Sequence, residues 1–304
     1  MKYAKLSNDE LFASMAELVA LVGEEVHFLT GVGLFQRGVS VAKRSSTIKV
    51  VGEVISVSHD PGEINESLRG QCFSVYPDVI MGKDKDRFRT LYEEVMKGVR
   101  TSRSCGKLDL IMTDGVLLAG VREEERDSRS LVDHSRKPYS QSGTMDPYTS
   151  RLMVNLARPK GTVLDPFVGL GSILIEAKWL GHNCLGVDVD SKMLEKAKLN
   201  LEFFGYQCGL VQGSAVNLPA TGKFTVVTDP PYGRSSRAKG TNMEELYQGF
   251  LSQVAEVLEG RLVFAADSNV DWRDAVRSAG LRTVYTHFLY QHKSLSRAIY
   301  VVER

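Results

Sequence analysis

The sequence has no C-x-x-C pair, and its four cysteines, Cys72, Cys105, Cys184 and Cys208, stand singly. That spacing excludes the common zinc modules and redox dithiols, so no metal is expected and the four are read as reduced, packed thiols. No apolar run is long enough to cross a bilayer, and Asn8, Asp9 and Glu10 interrupt the N-terminal segment before a signal-peptide core could form. A cytoplasmic location is the expectation that follows. Net charge is also lacking: 38 Lys plus Arg face 37 Asp plus Glu, a balance of +1. No whole-molecule field draws phosphate, so any nucleic-acid site must be a local patch. Repeats of fixed period and low-complexity tracts are absent, which excludes a solenoid or a long linker.

What is present is the composition of a folded protein, 43% hydrophobic and 25% charged over 304 residues, long enough for more than one domain. Residues 8–22 predict a helix, with Asn8 as its N-cap, Leu11, Met15, Leu18 and Leu21 on one face and Gly23 at its end. A β-branched run at 48–57, a helix at about 87–99, and two strands within 107–121 joined by Thr113-Asp114-Gly115 make the N-terminal half α+β. The stretch 122–147, with its charge run Arg-Glu-Glu-Glu-Arg and two prolines, reads as a connector.

Beyond residue 161 the pattern becomes a regular alternation of strand and helix, which predicts an α/β domain with a mostly parallel, doubly wound sheet. Strands are expected at 162–167, 183–188, 207–212, 224–229 and 261–267. Helices lie at 172–180, at 191–204 with Asp190 as cap, and through Leu246, Phe250, Val254 and Leu258. The chain closes on an antiparallel hairpin.

Two stretches of this half carry chemistry. Asp165-Pro-Phe-Val-Gly169-Leu-Gly171-Ser sits where a strand hands over to a helix, and Gly169 and Gly171 let backbone approach a cofactor closely. A dinucleotide fingerprint would have a third glycine where Leu174 stands, so an adenosyl cofactor without a pyrophosphate fits better. Asp188, at the tip of the next strand, can accept from both hydroxyls of a ribose. The second stretch is Thr228-Asp229-Pro230-Pro231-Tyr232-Gly233 at the end of the fourth strand, which the topology aims at the same crevice. An exocyclic base amine is a poor nucleophile because its lone pair is delocalised into the ring. The Asp229 carboxylate and the Pro230 carbonyl can hold its two hydrogens, Pro231 with Pro230 stiffens the loop, and Tyr232 offers a face on which the base stacks.

In this arrangement residues 161–234 resemble the amino-methyltransferases that use S-adenosylmethionine, whose shared motif is D-P-P-Y. The motif separates neither guanine from adenine nor RNA from DNA. Ser142–Ala157 and His292–Glu303 are similar to the archaeal and eukaryotic tRNA guanine-10 N2-methyltransferases, and this resemblance implies a Rossmann-like methyltransferase domain over 151–304. It further implies a linker at 133–150, a ferredoxin-like domain at 1–57 and a THUMP domain at 58–132, where Phe73-Ser74-Val75, Lys107–Leu110 and Asp114-Gly115 are like the THUMP pattern. By that likeness the THUMP domain grips tRNA, with Lys83, Lys85, Arg87, Arg89, Lys97, Arg100 and Arg103 as candidate phosphate contacts. Asp84, Asp86, Glu93 and Glu94 are interleaved among them, as on an ordinary solvated face.

The sequence departs from the family at Ser214, where related enzymes commonly have an aspartate accepting from the adenine amino group; by the same likeness Ser214 is the cofactor-binding residue there, its hydroxyl able to hydrogen-bond the adenine. Eukaryotic relatives act with a small zinc-binding activator that adds a strand to the methyltransferase, so the sheet edge near Cys208–Val211 is where such a partner would pair. Two other readings remain open at this level: an adenine-N6 methyltransferase acting on DNA or RNA, and an RNA-binding module that has lost catalysis.

Overall fold

A computed structural model describes residues 1–37, 40–80, 85–233, 242–292 and 295–304. The chain divides into two compact units, Met1–Asp127 and Ser128–Arg304. No described helix is long and apolar enough to cross a membrane.

The first unit runs β1 (Lys2–Leu6), α1 (Leu11–Val22), β2 (His27–Leu29), β3 (Val32–Phe35), α2 (Val41–Arg44), β4 (Ile48–Ser58), α3 (Pro61–Leu68), β5 (Cys72–Val79), α4 (Lys85–Val95), β6 (Arg100–Thr101), β7 (Gly106–Thr113) and β8 (Val116–Glu125). Its described strands form one eight-stranded sheet in the order β2-β3-β1-β4-β8-β7-β5-β6. The boundary expected at residue 57 falls inside β4, whose Val57 and Ser58 pair with Leu118 and Leu117 of β8. Helix α1 begins two residues later than an N-cap at Asn8 would set it, with Glu10 at the cap position making no side-chain cap bond, and it ends on left-handed Gly23 as its sequence requires. Between β7 and β8, Asp114 and Gly115 both take positive φ (50° and 80°), the twist a two-residue hairpin needs.

The charge run expected as a connector is instead the end of β8. Arg122 is held there by Asp109 at 2.5 Å and by Glu125 at 3.0 Å, and the buried Tyr3 hydroxyl donates to the same Asp109 carboxylate. Charge density alone misled here, because β8 lies between β4 and β7 and its charged residues pair with side chains of neighbouring strands. The division between units lies at 127/128, and the boundary expected at 132/133 falls within the next helix.

The second unit runs α5 (Ser128–His134), α6 (Pro147–Ala157), β9 (Val163–Asp165), α7 (Ser172–Trp179), β10 (Cys184–Asp188), α8 (Ser191–Phe203), β11 (Gly209–Gln212), β12 (Phe224–Thr228), α9 (Met243–Val257), β13 (Leu258–Asp267), α10 (Arg273–Ser278), β14 (Arg282–His292) and β15 (Leu295–Glu303). The sheet order is β11-β10-β9-β12-β13-β15-β14. The first five strands are parallel, and β15 inserts antiparallel between β13 and β14. The predicted doubly wound α/β sheet, its antiparallel last hairpin and the edge position of β11 are all present. The strand order reverses between β9 and β12, which leaves a crevice at their carboxyl ends, where ligands of open α/β sheets bind.

The core explains why these strands sit where they do. Val226, Leu262, Phe264, Tyr300 and Val302 are buried under α9, which contributes Tyr247, Phe250 and Val254. Tyr247 stacks on Trp272 at 3.9 Å between centroids, and Phe264 stacks on Tyr300 at 4.8 Å.

The expectation of four free thiols is overturned. Cys72 bonds to Cys105 and Cys184 to Cys208, with Cα–Cα distances of 5.7 and 5.1 Å, and no free cysteine remains among the described residues. Adjacent parallel strands, β5 beside β6 and β7 and β10 beside β11, bring together residues 33 and 24 positions apart.

Candidate active site

Strand β9 ends at Asp165, and the chain turns through Gly169 and Gly171, both with positive φ (50° and 81°), before α7 begins at Ser172. A side chain at Gly171 would be strained by that left-handed backbone, which is why glycine stands there. The turn is pinned from two sides. The Gly169 amide donates to Asp188 Oδ2 at 2.9 Å, while Asp188 Oδ1 accepts from the Asp190 amide at 2.9 Å. From α8, fully buried Asn200 donates to the Leu170 carbonyl at 2.9 Å and brackets the Tyr139 backbone with bonds of 2.9 and 3.0 Å. One amide thus couples the glycine turn to the segment that leads into residues 141–145.

Strand β12 delivers Thr228-Asp229-Pro230-Pro231-Tyr232 alongside. Buried Thr228 donates to Asp165 Oδ1 at 2.6 Å, and the same oxygen accepts from the Phe167 amide at 3.1 Å. The two strand ends are therefore joined by a hydrogen bond between side chains of the two motifs. Burial pushes the Asp165 carboxyl up to about 7, against the lowering effect of those two bonds and with a further rise from Asp229 and Asp188.

The Tyr232 hydroxyl donates to Asp229 Oδ1 through a short bond, and Arg297 Nε donates to that hydroxyl at 3.2 Å. Arg297 Nη2 also lies 3.8 Å from Asp229 Oδ2. Arg297, on β15, exposes only 5% of its side chain. Burial raises the Asp229 carboxyl, whereas Arg297 and the Tyr232 hydroxyl pull it back down.

Both motifs line one cavity of about 380 Å³ in the second unit. Its wall contains Asp165, Phe167–Leu170, Ser172, Ile173, Asp229–Tyr232 and Arg297, with Gln141–Met145 closing another side. Of the residues singled out in the sequence, Asp165, Gly169, Asp229, Pro230, Pro231 and Tyr232 meet in this cavity. Gly171 sits behind the turn as the helix cap, and Asp188 adjoins the cavity through Gly169 without lining it. Ser214 does not line it either, and its hydroxyl accepts instead from the Val216 amide at 3.3 Å, in a tight turn after β11. Lys85, Arg87 and Arg89 are exposed on α4, and Arg100 is exposed on β6, all in the first unit. Arg89 is 3.8 Å from Glu93, and Lys83 lies outside the described residues.

Arg297, Ser172 and Asn200 were assigned no role from sequence. A single cation inside the apolar strand Ala-Ile-Tyr-Val-Val was the available signal for Arg297, since a buried arginine needs a partner. The clue for Ser172 is structural: its hydroxyl is buried, faces the cavity and has no hydrogen-bond partner.

A profile of the RMKL-like methyltransferase domain family matches residues 134–296, more than half of the chain. The chain belongs to this family. Among similar proteins, the tRNA (guanine(10)-N2)-dimethyltransferase of Pyrococcus abyssi is 36% identical over 194 residues, covering 62% of this chain and 58% of the relative. The enzyme of the same name from Methanothermobacter thermautotrophicus is 34% identical over 181 residues, covering 56% and 52%. This RMKL-like domain chain therefore matches little more than half the length of these relatives. In fold it is similar to TrmN from Thermus thermophilus, with a TM-score of 0.54 at 19% identity over 100% of this chain and 99% of the other.

Proposed function

We propose that this chain is an S-adenosylmethionine-dependent methyltransferase that modifies the exocyclic N2 of guanosine 10 in tRNA. The observation that carries the reading is the single cavity in which the Gly169–Gly171 turn faces Asp229-Pro230-Pro231-Tyr232. The names of the relatives, which are tRNA (guanine(10)-N2)-dimethyltransferases, supply the base and position.

The residues present fit the cofactor. The first turn of α7 is capped by Gly171, which has no side chain to satisfy its amides, and the Ser172 hydroxyl beside it is unpaired and buried. Free amides and a helix N-terminus suit an anionic group, so Ser172 and this turn would hold the carboxylate of the methionine end. Each Asp188 oxygen has one hydrogen bond and a lone pair left for a ribose hydroxyl. When bound, the cofactor supplies a methyl group activated on a sulfonium.

The chain's own residues then act on the base. The Asp229 carboxylate and the Pro230 carbonyl accept the two N–H groups of the guanine amine and turn its nitrogen toward the methyl. As the guanine nitrogen gains the methyl group it would become cationic, and Asp229 would take up its surplus proton and pass it to water. Desolvation makes Asp229 a stronger base for this step than a surface carboxylate would be. The Tyr232 ring supports the base.

In this reading the first unit carries ferredoxin-like and THUMP regions that bind tRNA. Strands β5 and β7, which hold the THUMP-like residues, pair in parallel with Ser74 opposite Lys107. Lys85, Arg87, Arg89 and Arg100 are its candidate phosphate contacts. A small zinc-binding activator could add a strand at β11, whose edge at Gly209–Gln212 is unpaired on one side among the described strands. The enzyme would act in the cytoplasm. Incubation with labelled cofactor and either unmodified tRNA or duplex DNA tests the proposal: label entering tRNA alone supports it, and label entering DNA supports adenine-N6 chemistry instead.

A further inference from the structure

We propose that Arg297 is a positioning residue for Asp229, holding its carboxylate charged and oriented toward the cavity through a direct ion contact and through the Tyr232 hydroxyl. The proposal rests on the methyltransferase reading for its consequence, but its geometry stands alone. Arg297 Nη2 is 3.8 Å from Asp229 Oδ2, and Arg297 Nε donates at 3.2 Å to the hydroxyl that itself donates to Asp229 Oδ1. Both carboxylate oxygens are thus reached from one guanidinium, one of them directly and one through a phenol.

The register of the sheet fixes this contact. Arg297 pairs with Asp267 across β13 and with Leu289 across β14, at the carboxyl edge of the parallel strands where β12 releases Asp229. A lysine would reach the carboxylate as a point charge but could not also bond the phenol in the same plane. A buried carboxylate without its cation takes a proton and can no longer accept one from a base amine. Among the described residues, Arg297 is the cation that bears on Asp229. The other groups bearing on it are acids or phenols: Tyr232 on the same loop, Asp146 ahead of α6, Asp165 at the end of β9 and Tyr247 on α9. Desolvation and the carboxylates favour the neutral form of Asp229, so Arg297 with the Tyr232 hydroxyl decides which form is present.

The test needs no substrate. Carbon-13 NMR of aspartate-labelled protein, with Asp229 assigned by its loss in Asp229→Asn, follows the titration of the carboxyl in wild type, Arg297→Met, Arg297→Lys and Tyr232→Phe. Arg297→Met is expected to move the midpoint up by about one pH unit or more, Arg297→Lys by less, and Tyr232→Phe by an intermediate amount. In tRNA methylation assays the acid limb of kcat/KM should move with it, while calorimetric affinity for S-adenosylmethionine stays within about threefold. Were Arg297→Met too unstable to study, Arg297→Lys and Tyr232→Phe would test the same ordering. Coincident titration of wild type and these variants overturns the proposal. If the midpoints move as expected and no tRNA is methylated by wild type, the positioning stands and the substrate reading fails.

Discussion

A carboxylate that accepts a hydrogen bond from a base amine must be dry enough to hold it strongly and charged enough to hold it at all. Asp229 meets both demands because burial and Arg297 act on it in opposite directions. Its replacement should therefore separate chemistry from binding. Asp229→Ala is expected to lower the rate of methyl transfer about a hundredfold or more, with cofactor affinity changed less than about threefold. Asp188→Ala should do the reverse, weakening cofactor binding by roughly 10- to 100-fold through loss of an acceptor that also anchors Gly169. Titration calorimetry beside initial rates distinguishes the two, and equal effects on both quantities would dissolve the assignment. Asp165 makes a different prediction. Its folded value of about 7 lies above the ordinary 3.8, so the folded state binds the proton more tightly than the unfolded chain. The stability it contributes is complete below about pH 4 and is lost as pH rises through about 7. Asp165→Asn should flatten that slope in urea midpoints measured across the window, and an unchanged slope would mean that the carboxyl is not what titrates. At this scale the contiguous motifs were legible in the sequence, since D-P-P-Y and the glycine turn each lie within one loop. Arg297 was not, because its partner is 65 residues away and only the sheet register joins them.

Among elements, the β-α alternation of the second half was readable because its strands and helices announce themselves by period, and α7 and α8 are each followed by a left-handed glycine, Gly181 and Gly205. Helices α5 and α6 were not assigned from pattern. Helix α6 is buried at every position but Tyr148, Arg151 included, so it lacks a polar stripe that would mark its period. The role of Asn200 on α8 was hidden for a related reason: its amide binds backbone on two other segments, which no local pattern reveals. The disulfides were hidden because cysteine spacing carries no information about which strands become neighbours. They predict a measurable effect. The bonded pairs close loops with separations of 33 and 24 residues, and each should contribute about 3 to 4 kcal/mol by restricting the unfolded chain. Cys184→Ser or Cys105→Ser should lower the guanidinium midpoint accordingly, and reduction of the wild type, which opens both bonds, should lower it further than either substitution. No change on reduction would mean that the cysteines are thiols in solution.

For the whole molecule, a charge balance of +1 leaves any affinity for phosphate to local patches, and the chain divides into two compact units at 127/128, inside the stretch 122–147 read as a connector but five residues before the boundary placed at 132/133. The misplacement has a physical origin. Glu123, Glu124 and Glu125 look like a solvated linker, yet each is tied into the first unit, to Lys2, to the Ala42 amide, and to Lys107 with Arg122. The first unit should set which nucleic acid is held, and the second which atom is methylated. Mass-spectrometric mapping of an unmodified tRNA transcript after reaction reports both at once. The account predicts methylation at the N2 of guanosine 10, absent with Asp229→Ala; methylation at adenine N6, or none on tRNA from protein that binds the cofactor, would contradict it.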